Sequence, residues 1–355
     1  MNKKILLVTG SGGLVGSEVV ELLHNDFDQV YGIDNNQRKF LFGKNGDVNL
    51  RIKEIINKIY NYSHCTIDIR DRKNVFELIE KIWPTVVVHC AGQPSHDLAA
   101  KIPFQDFDIN AVGTFNLIET TRLFSKKPIF IFLSTNKVYG DAPNFIKIKE
   151  SKKRYEFNDK NFKNGIAEDL SIDQNTHSLF GASKLGADVT VQEYGRYFGM
   201  QTCVIRAGCI TGPNHSGVQL HGFLNFLVKT NIEKKIYNIF GYKGKQVRDN
   251  IHAKDLVNFI RHFINKPRIG EVYNLGGGLK NSISILEAFD LVYKHSGIKM
   301  NSKYENKNRI GDHICYYSNL TKSRKHYPGW EITIDLDSIV CEILEKIYDV
   351  KKWSL

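Results

Sequence analysis

The sequence predicts an α/β protein in which a doubly wound parallel sheet is joined to a smaller α/β lobe. Three observations predict it. Strand-length apolar runs alternate with helical patterns through the first half. A glycine-rich turn joins the first run to the first helix, and the rhythm changes after Arg206. Lys4–Val8 reads as a strand, Leu14–His24 as a helix and Gln29–Ile33 as a second strand. Cys65–Asp68 is read as the third strand and Asn74–Ile82 as the next helix. Thr85–His89 is a continuous apolar run, the pattern of a strand buried on both faces. Phe115–Phe124 reads as a helix, Pro128–Ser134 as the fifth strand, Ser183–Phe198 as a long helix and Gln201–Arg206 as the sixth strand.

Asp141–His177 interrupts this alternation. It is polar and weakly periodic, and reads either as a loop over a functional site or as a surface insertion. The expected organisation is a nucleotide-binding domain over 1–206, to which 244–266 return. A second lobe is built from 207–243 and 267–346, with 347–355 as a tail.

Composition excludes several classes. The chain has 355 residues, of which 42% are apolar and 25% charged, the values of an ordinary globular protein. No run approaches the ~18 apolar residues of a membrane span. Met1–Lys4 leads straight into a short apolar run and then glycines, so a cytoplasmic protein is expected rather than a secreted one. Six cysteines occur with no C-x-x-C pair, which points to reduced thiols and to no metal site. The net charge of +11 is compatible with a polyanionic partner. No basic stretch interleaved with aromatics and no helix-turn-helix signature directs it to nucleic acid.

The segment Thr9-Gly10-Ser11-Gly12-Gly13-Leu14-Val15-Gly16 follows a strand and opens a helix. Glycines let the backbone turn tightly and approach a pyrophosphate, and the helix N-terminus adds partial positive charge. This is the fingerprint of a Rossmann-type dinucleotide site, with Gly10, Gly13, Leu14, Val15 and Gly16 as its phosphate loop. Asp34 ends the second strand, followed by Asn35 and Asn36. A carboxylate there accepts from ribose hydroxyls and repels a 2′-phosphate, which favours NAD; nearby Arg38 keeps NADP open. Asp68 and Ile69 follow the third strand, where they either meet the adenine or cap the strand.

Taken together, the motifs resemble the extended short-chain dehydrogenase/reductase family. They include Thr9-Gly10-x-x-Gly13-x-x-Gly16, His89-Cys90-Ala91-Gly92, Asp108-Ile109-Asn110-Ala111 and Ser134-Thr135-Asn136-Lys137-Val138-Tyr139-Gly140. They continue with Gly181-Ala182-Ser183-Lys184, Arg248-Asp249-Asn250-Ile251-His252, Arg309-x-Gly311-Asp312 and Gly329-Trp330. Three segments are similar to the nucleotide-sugar 2-epimerases that interconvert CDP-paratose and CDP-tyvelose: Ala91-Gly92-Gln93-Pro94-Ser95-His96, Thr135–Asp141 and Gly244–Asp249. The resemblance implies NAD as cofactor and a nucleotide-diphosphate sugar as substrate. It adds Ala91, Gly92, Gln93, Asn110 and Lys184 to the cofactor site, and implies a homodimer. The family's 4,6-dehydratases carry Asp-Glu directly after the active-site Thr. Asn136 and Lys137 stand there, which argues against water elimination.

The family uses a Ser/Thr hydroxyl, a Tyr general base and a Lys four residues on. Thr135 and Lys184 match the first and last, and Phe180 stands in the Tyr position. A phenyl ring has no ionisable proton, so the base lies elsewhere or the protein binds its ligands with little turnover. Candidate substitutes are Tyr139, His177, His96, His215 and Lys184 itself. Ser95, His96, Asn136, Lys137, His215 and Gln219 are the expected sugar-side residues. Arg248 and Arg309 are the expected diphosphate ligands, since guanidinium groups pair with phosphate in bidentate geometry. Cys209 and Thr211 stand where the family often has Asn and Tyr, so those substrate contacts are altered.

Overall fold

The computed structural model describes residues 3–215, 222–306 and 311–352. The chain opens with strand β1 (Ile5–Thr9) and helix α1 (Leu14–Leu23), then β2 (Gln29–Ile33), α2 (Gln37–Phe42) and α3 (Asn49–Lys58). Strand β3 (Tyr62–Cys65), α4 (Arg72–Ile82) and β4 (Val86–His89) follow. Two short helices, α5 (His96–Ala99) and α6 (Pro103–Phe107), lead through a π-helical turn at Asp108–Val112 into α7 (Gly113–Phe124) and then β5 (Ile129–Thr135). Next come the hairpin strands β6 (Ile148–Glu150) and β7 (Tyr155–Phe157), the long α8 (Ser178–Phe198) and β8 (Gln201–Ala207). They are followed by β9 (Cys209–Thr211), α9 (Phe223–Ile232), β10 (Tyr237–Phe240), β11 (Val247–His252), α10 (Ala253–Asn265) and β12 (Glu271–Leu275). The chain closes with β13 (Ser282–Ser284), α11 (Ile285–Ser296), β14 (Ser302–Glu305), α12 (Thr321–His326) and α13 (Leu336–Lys352).

The main sheet has seven strands in the order β12-β8-β5-β4-β1-β2-β3. The order reverses between β1 and β4, both parallel neighbours, as in a doubly wound Rossmann-type sheet. Leu7, Val87, Phe130, Phe132 and Val204 from its strands pack with Val75, Leu117, Ala187 and Val191 from the helices. Alternation of apolar strands with amphipathic helices therefore produces the layers the sequence implied.

Two compact units emerge. The first runs through Val138 and takes in Leu179–Arg206 and Leu256–Tyr273; the second holds Tyr139–Ser178, Ala207–Asp255 and the chain from Asn274 onward. These bounds differ from the sequence reading for physical reasons. β12 lies beside β8 as the seventh strand of the main sheet, so residues 267–273 join the first unit rather than the lobe. β11 pairs with β9 and β13, which keeps 244–255 in the second. Asp141–His177 also belongs to the second unit: Tyr155 N donates to Lys245 O, and Asn274 Nδ2 donates to Ile166 O. The core of the second unit gathers Leu224, Leu227, Ile239, Ile283, Val292 and Ile343.

Local corrections follow the same logic. The third strand is Tyr62–Cys65, not Cys65–Asp68, because its register against β2 pairs Val30 with Tyr62 and Ile33 with Cys65. Its side chains are mixed in polarity, so no apolar run marked it. Helix α8 starts at Ser178, five residues before the expected boundary. The expected tail is helical up to Lys352, and Ile347 packs against the second core.

Candidate active site

The cofactor cradle is built where β1 meets α1. Gly10 has φ +66°, and a Cβ on it would lie 2.8 Å from Ala91 N. A Cβ on Gly16 would lie 2.1 Å from Gly10 O, so only glycine lets the helix start this close to the turn. Gly13 N donates to Gly10 O at 3.0 Å, Leu14 is half-buried and Val15 is buried. Asp34 accepts from Gly12 N at 3.0 Å and Asn36 N at 2.8 Å. Burial holds its carboxyl above the usual range, against those two backbone donors. This cradle fits a dinucleotide: an open glycine turn, a helix N-terminus and a carboxylate at the end of the second strand.

The neighbouring polar residues are tied into the protein itself. Asn36 takes a left-handed conformation at φ 55°, accepts from Val48 N and donates to Asp47. Asn35 donates to Asp68 at 3.0 Å. Asp68 is also bound by the Arg70 guanidinium at 2.6 Å, and that contact first of all holds its carboxyl below the usual range. Ile69 is buried in the core. Arg38 stands 5.1 Å from the Phe42 ring centroid, and the Asp34 charge acts on it.

The π-helical turn at Asp108–Val112 carries Asn110, which is buried. Asn110 accepts from Gln93 N at 3.0 Å and donates to Gln93 O, Asp106 Oδ1 and Ser183 Oγ. Ser183 Oγ donates to Asp106 Oδ2 at 2.5 Å, and Gln93 Nε2 to Asp106 Oδ1 at 2.6 Å. Asp106 and Ser183 are therefore part of this site, which the sequence reading missed. The signal was there: Asp106 lies one helical turn before Asn110, and Ser183 adjoins Lys184. Ser95 is fully buried, and its hydroxyl caps the backbone at Leu98 N instead of facing outward.

Thr135 ends β5 half-buried, with its hydroxyl oxygen accepting from Lys137 N at 3.2 Å. Phe180 and Lys184 lie on α8 and are both buried. Lys184 Nζ donates to Leu133 O at 2.7 Å and stands 4.1 Å from the Phe132 ring centroid. A Cβ on Gly92 would lie 3.9 Å from that nitrogen. Burial pushes the Lys184 ammonium down to about 8, with Asp188 opposing it most.

Two proposed substitutes for the missing base are structural. Tyr139 is fully buried, and its hydroxyl donates to Asn274 Oδ1 at 2.8 Å. His177 Nε2 lies 2.8 Å from Ile172 O and must donate there, since a carbonyl only accepts. Its Nδ1 is enclosed, close against Gly140, and finds no hydrogen-bond partner among the described residues. His96 is partly exposed on α5, with Nδ1 3.7 Å from Asp97. Asn136 is buried and Lys137 half-buried just after Thr135.

In the second unit, Arg248 donates to Asp312 Oδ1 at 2.5 Å and to its neighbour Val247 O. Burial works against the guanidinium charge, but Asp312 and the other surrounding groups carry it above its ordinary value. Cys209 acts on the same charge. His215 is half-buried in the loop after Gly212. Gln219 and Arg309 lie outside the described residues. Among the described residues, no cluster of His, Cys, Asp or Glu could hold a metal ion, and no helix is long and apolar enough to cross a membrane.

The fold and cradle define a class, and comparison with known families agrees: residues 6–276 match the NAD dependent epimerase/dehydratase family, to which the chain belongs. CDP-paratose 2-epimerase of Salmonella typhi is 33% identical over 302 residues, covering 83% of this chain and 85% of that one. UDP-glucuronate 4-epimerase of Thermodesulfobacterium geofontis is 27% identical, covering 93% and 92%. The dTDP-glucose 4,6-dehydratase of Salmonella typhimurium is 28% identical, covering 77% and 72%. Among solved structures, the Bacillus cereus UDP-glucuronic acid 4-epimerase in complex with UDP-glucuronic acid and NAD superposes with a TM-score of 0.79 at 24% identity, covering 98% of this chain and 99% of that one.

Proposed function

We propose that the protein epimerises a nucleotide-diphosphate sugar, with a CDP-sugar inverted at C2 as the best-supported case. The observation that carries this reading is the retention of Thr135 and Lys184 beside Asn136 and Lys137, which lack the carboxylates of water elimination. The similarity to CDP-paratose 2-epimerase supports the choice of nucleotide and carbon. Bound NAD would supply the hydride acceptor and donor for the sugar carbon. Its pyrophosphate would lie on Gly10, Gly13 and Gly16 with the first amides of α1, and its ribose on Asp34. Ala91, Gly92, Gln93 and Asn110 would border the nicotinamide end.

The chain's own residues then handle the proton. The Thr135 hydroxyl orients the sugar alcohol. Lys184 takes its proton in place of the absent tyrosine, because its neutral amine is accessible near pH 8. Phe180 supplies an apolar wall where the family has a phenol. Arg248 would take the diphosphate, trading part of its pairing with Asp312 for phosphate oxygens. We also propose a homodimer formed through α7 and α8. Leu123, Val189, Tyr197 and Phe198 leave an apolar surface exposed there, and light scattering at rising concentration tests it.

The test incubates the purified protein with CDP-, UDP- and dTDP-sugars and resolves the products. Interconversion of two epimers without net NADH is expected. Stoichiometric NADH release would replace epimerisation with net oxidation. A second reading, ligand binding with little turnover, is favoured by Phe180 alone. It wins if the native chain is silent with every sugar while Phe180→Tyr turns over.

A further inference from the structure

The second unit also brings together a thiol, an imidazole and a carboxylate. Asp337 lies in the first turn of α13, and Cys341 follows one helical turn later on the same face. Helix α11 brings His295 against them from its last turn. His295 Nε2 lies 2.8 Å from Asp337 Oδ1, and His295 Nδ1 lies 3.3 Å from Cys341 Sγ. Lys294 first, and His295 second, hold the Asp337 carboxyl below the usual range. An ionised carboxylate only accepts, so Nε2 carries the ring proton. The lone pair of Nδ1 therefore faces the sulfur.

The helices reinforce this polarity. His295 lies in the last turn of α11, and the start of α13 favours the negative charge of Asp337. Lys294 adds a second cation that acts on Cys341. Cys341 is half-buried and the His295 side chain is 20% exposed, so a small reagent can reach them. Cys209 is half-buried near the Arg248 charge, and the other four thiols are placed differently. Cys203 is buried, while burial pushes Cys90 and Cys315 up to about 12 and raises Cys65.

We propose that Cys341 is a reactive thiol that exchanges with low-molecular-weight disulfides, with His295 as its base and Asp337 as the group that orients the ring. His295 Nδ1 takes the thiol proton. The thiolate sulfur attacks one sulfur of the reagent, the protein–reagent S–S bond forms and the reagent's S–S bond breaks. The leaving thiolate recovers the proton from His295. One disulfide is consumed, and one mixed disulfide and one thiol are formed.

The test exposes the full-length protein to oxidised glutathione and maps the adduct by mass spectrometry. The first adduct is expected on Cys341, and Cys341→Ser, which keeps a donor for His295, should lose it. His295→Asn should slow the reaction by about tenfold or more at neutral pH. A first adduct on Cys209 or any other cysteine, no adduct, or an unchanged rate in His295→Asn overturns the proposal. If His295→Asn does not fold, Asp337→Asn takes its place: a slower reaction is expected, and an unchanged rate overturns the proposal.

Discussion

Arg206 and Arg248 are both arginines paired with an aspartate, one in each unit, yet their surroundings make them different devices. Arg206 meets Asp188 through two bonds, Nη2 to Oδ1 at 2.9 Å and Nε to Oδ2 at 3.1 Å. Ser134 and Gln192 also donate to that carboxylate, and the pair is almost wholly buried. It ties β5, α8 and β8 together and leaves nothing for a ligand. Arg248 meets Asp312 through Nη2, and its side chain is 14% exposed. The same chemistry is sealed in one region and available in the other, so burial and the surrounding donors, rather than residue type, separate an anchor from a candidate phosphate ligand.

The largest expected effect falls on the sealed pair. Arg206→Met should cost about 3–5 kcal/mol in urea denaturation, because it strands a buried carboxylate. If it costs as little as a surface change, the anchor assignment fails. Lys184, a buried cation held by a carbonyl rather than a carboxylate, should respond with the opposite sign. Its folded value of about 8 lies below its ordinary 10.5. Between those values the unfolded chain holds more protons, so native stability rises with pH across that window. Below pH 8 the burial penalty is fully present. Lys184→Met should therefore stabilise the unliganded protein at pH 7 by up to about 3 kcal/mol, the free-energy equivalent of the gap between the folded and ordinary values. That gain should fade between pH 8 and 10.5 while turnover is lost; a pH-independent gain would rule out the buried charge as its source.

Smaller effects test the open pair. Arg248→Met should cost less stability than Arg206→Met and weaken nucleotide-sugar binding by about 1.5–3 kcal/mol, roughly tenfold to a hundredfold in Kd by calorimetry. A large stability loss with unchanged Kd would erase the contrast with Arg206. The smallest effect is expected from Cys209→Asn, which restores an amide where family members often have one. It should tighten the same Kd by about 0.5–1.5 kcal/mol. Weaker binding would show that the thiol fits this pocket better than an amide.

The strands buried on both faces were legible because apolar runs such as Val86–His89 state their own burial. The glycine turn was legible because backbone geometry there admits few residue types, and Asp34 because a carboxylate ending the second strand matches a ribose. Tyr62–Cys65 was not, since only its pairing with β2 makes it a strand. Thr135, Lys184 and Phe180 were placed by the resemblance of their motifs to the family's, since spacing along one chain assigns no role by itself. The rejection of Tyr139 and His177 could not be read from the sequence. Each has the chemistry of a base, and each is disarmed by a partner elsewhere in the fold or by an enclosing backbone, Asn274 for one and Ile172 with Gly140 for the other.

By itself the sequence determined the apolar strands of the sheet and the glycine turn, because these depend on residue periodicity and local backbone geometry, while its resemblance to a family singled out Phe180. The tertiary structure decided which polar groups remain available. It turned Asn35, Asn36 and Ser95 inward, placed Asp106 beneath Lys184's helix, moved β12 into the main sheet and set Cys341 against His295. The reason is that hydrogen-bond partners and desolvation come from segments distant along the chain, and only folding brings those segments together.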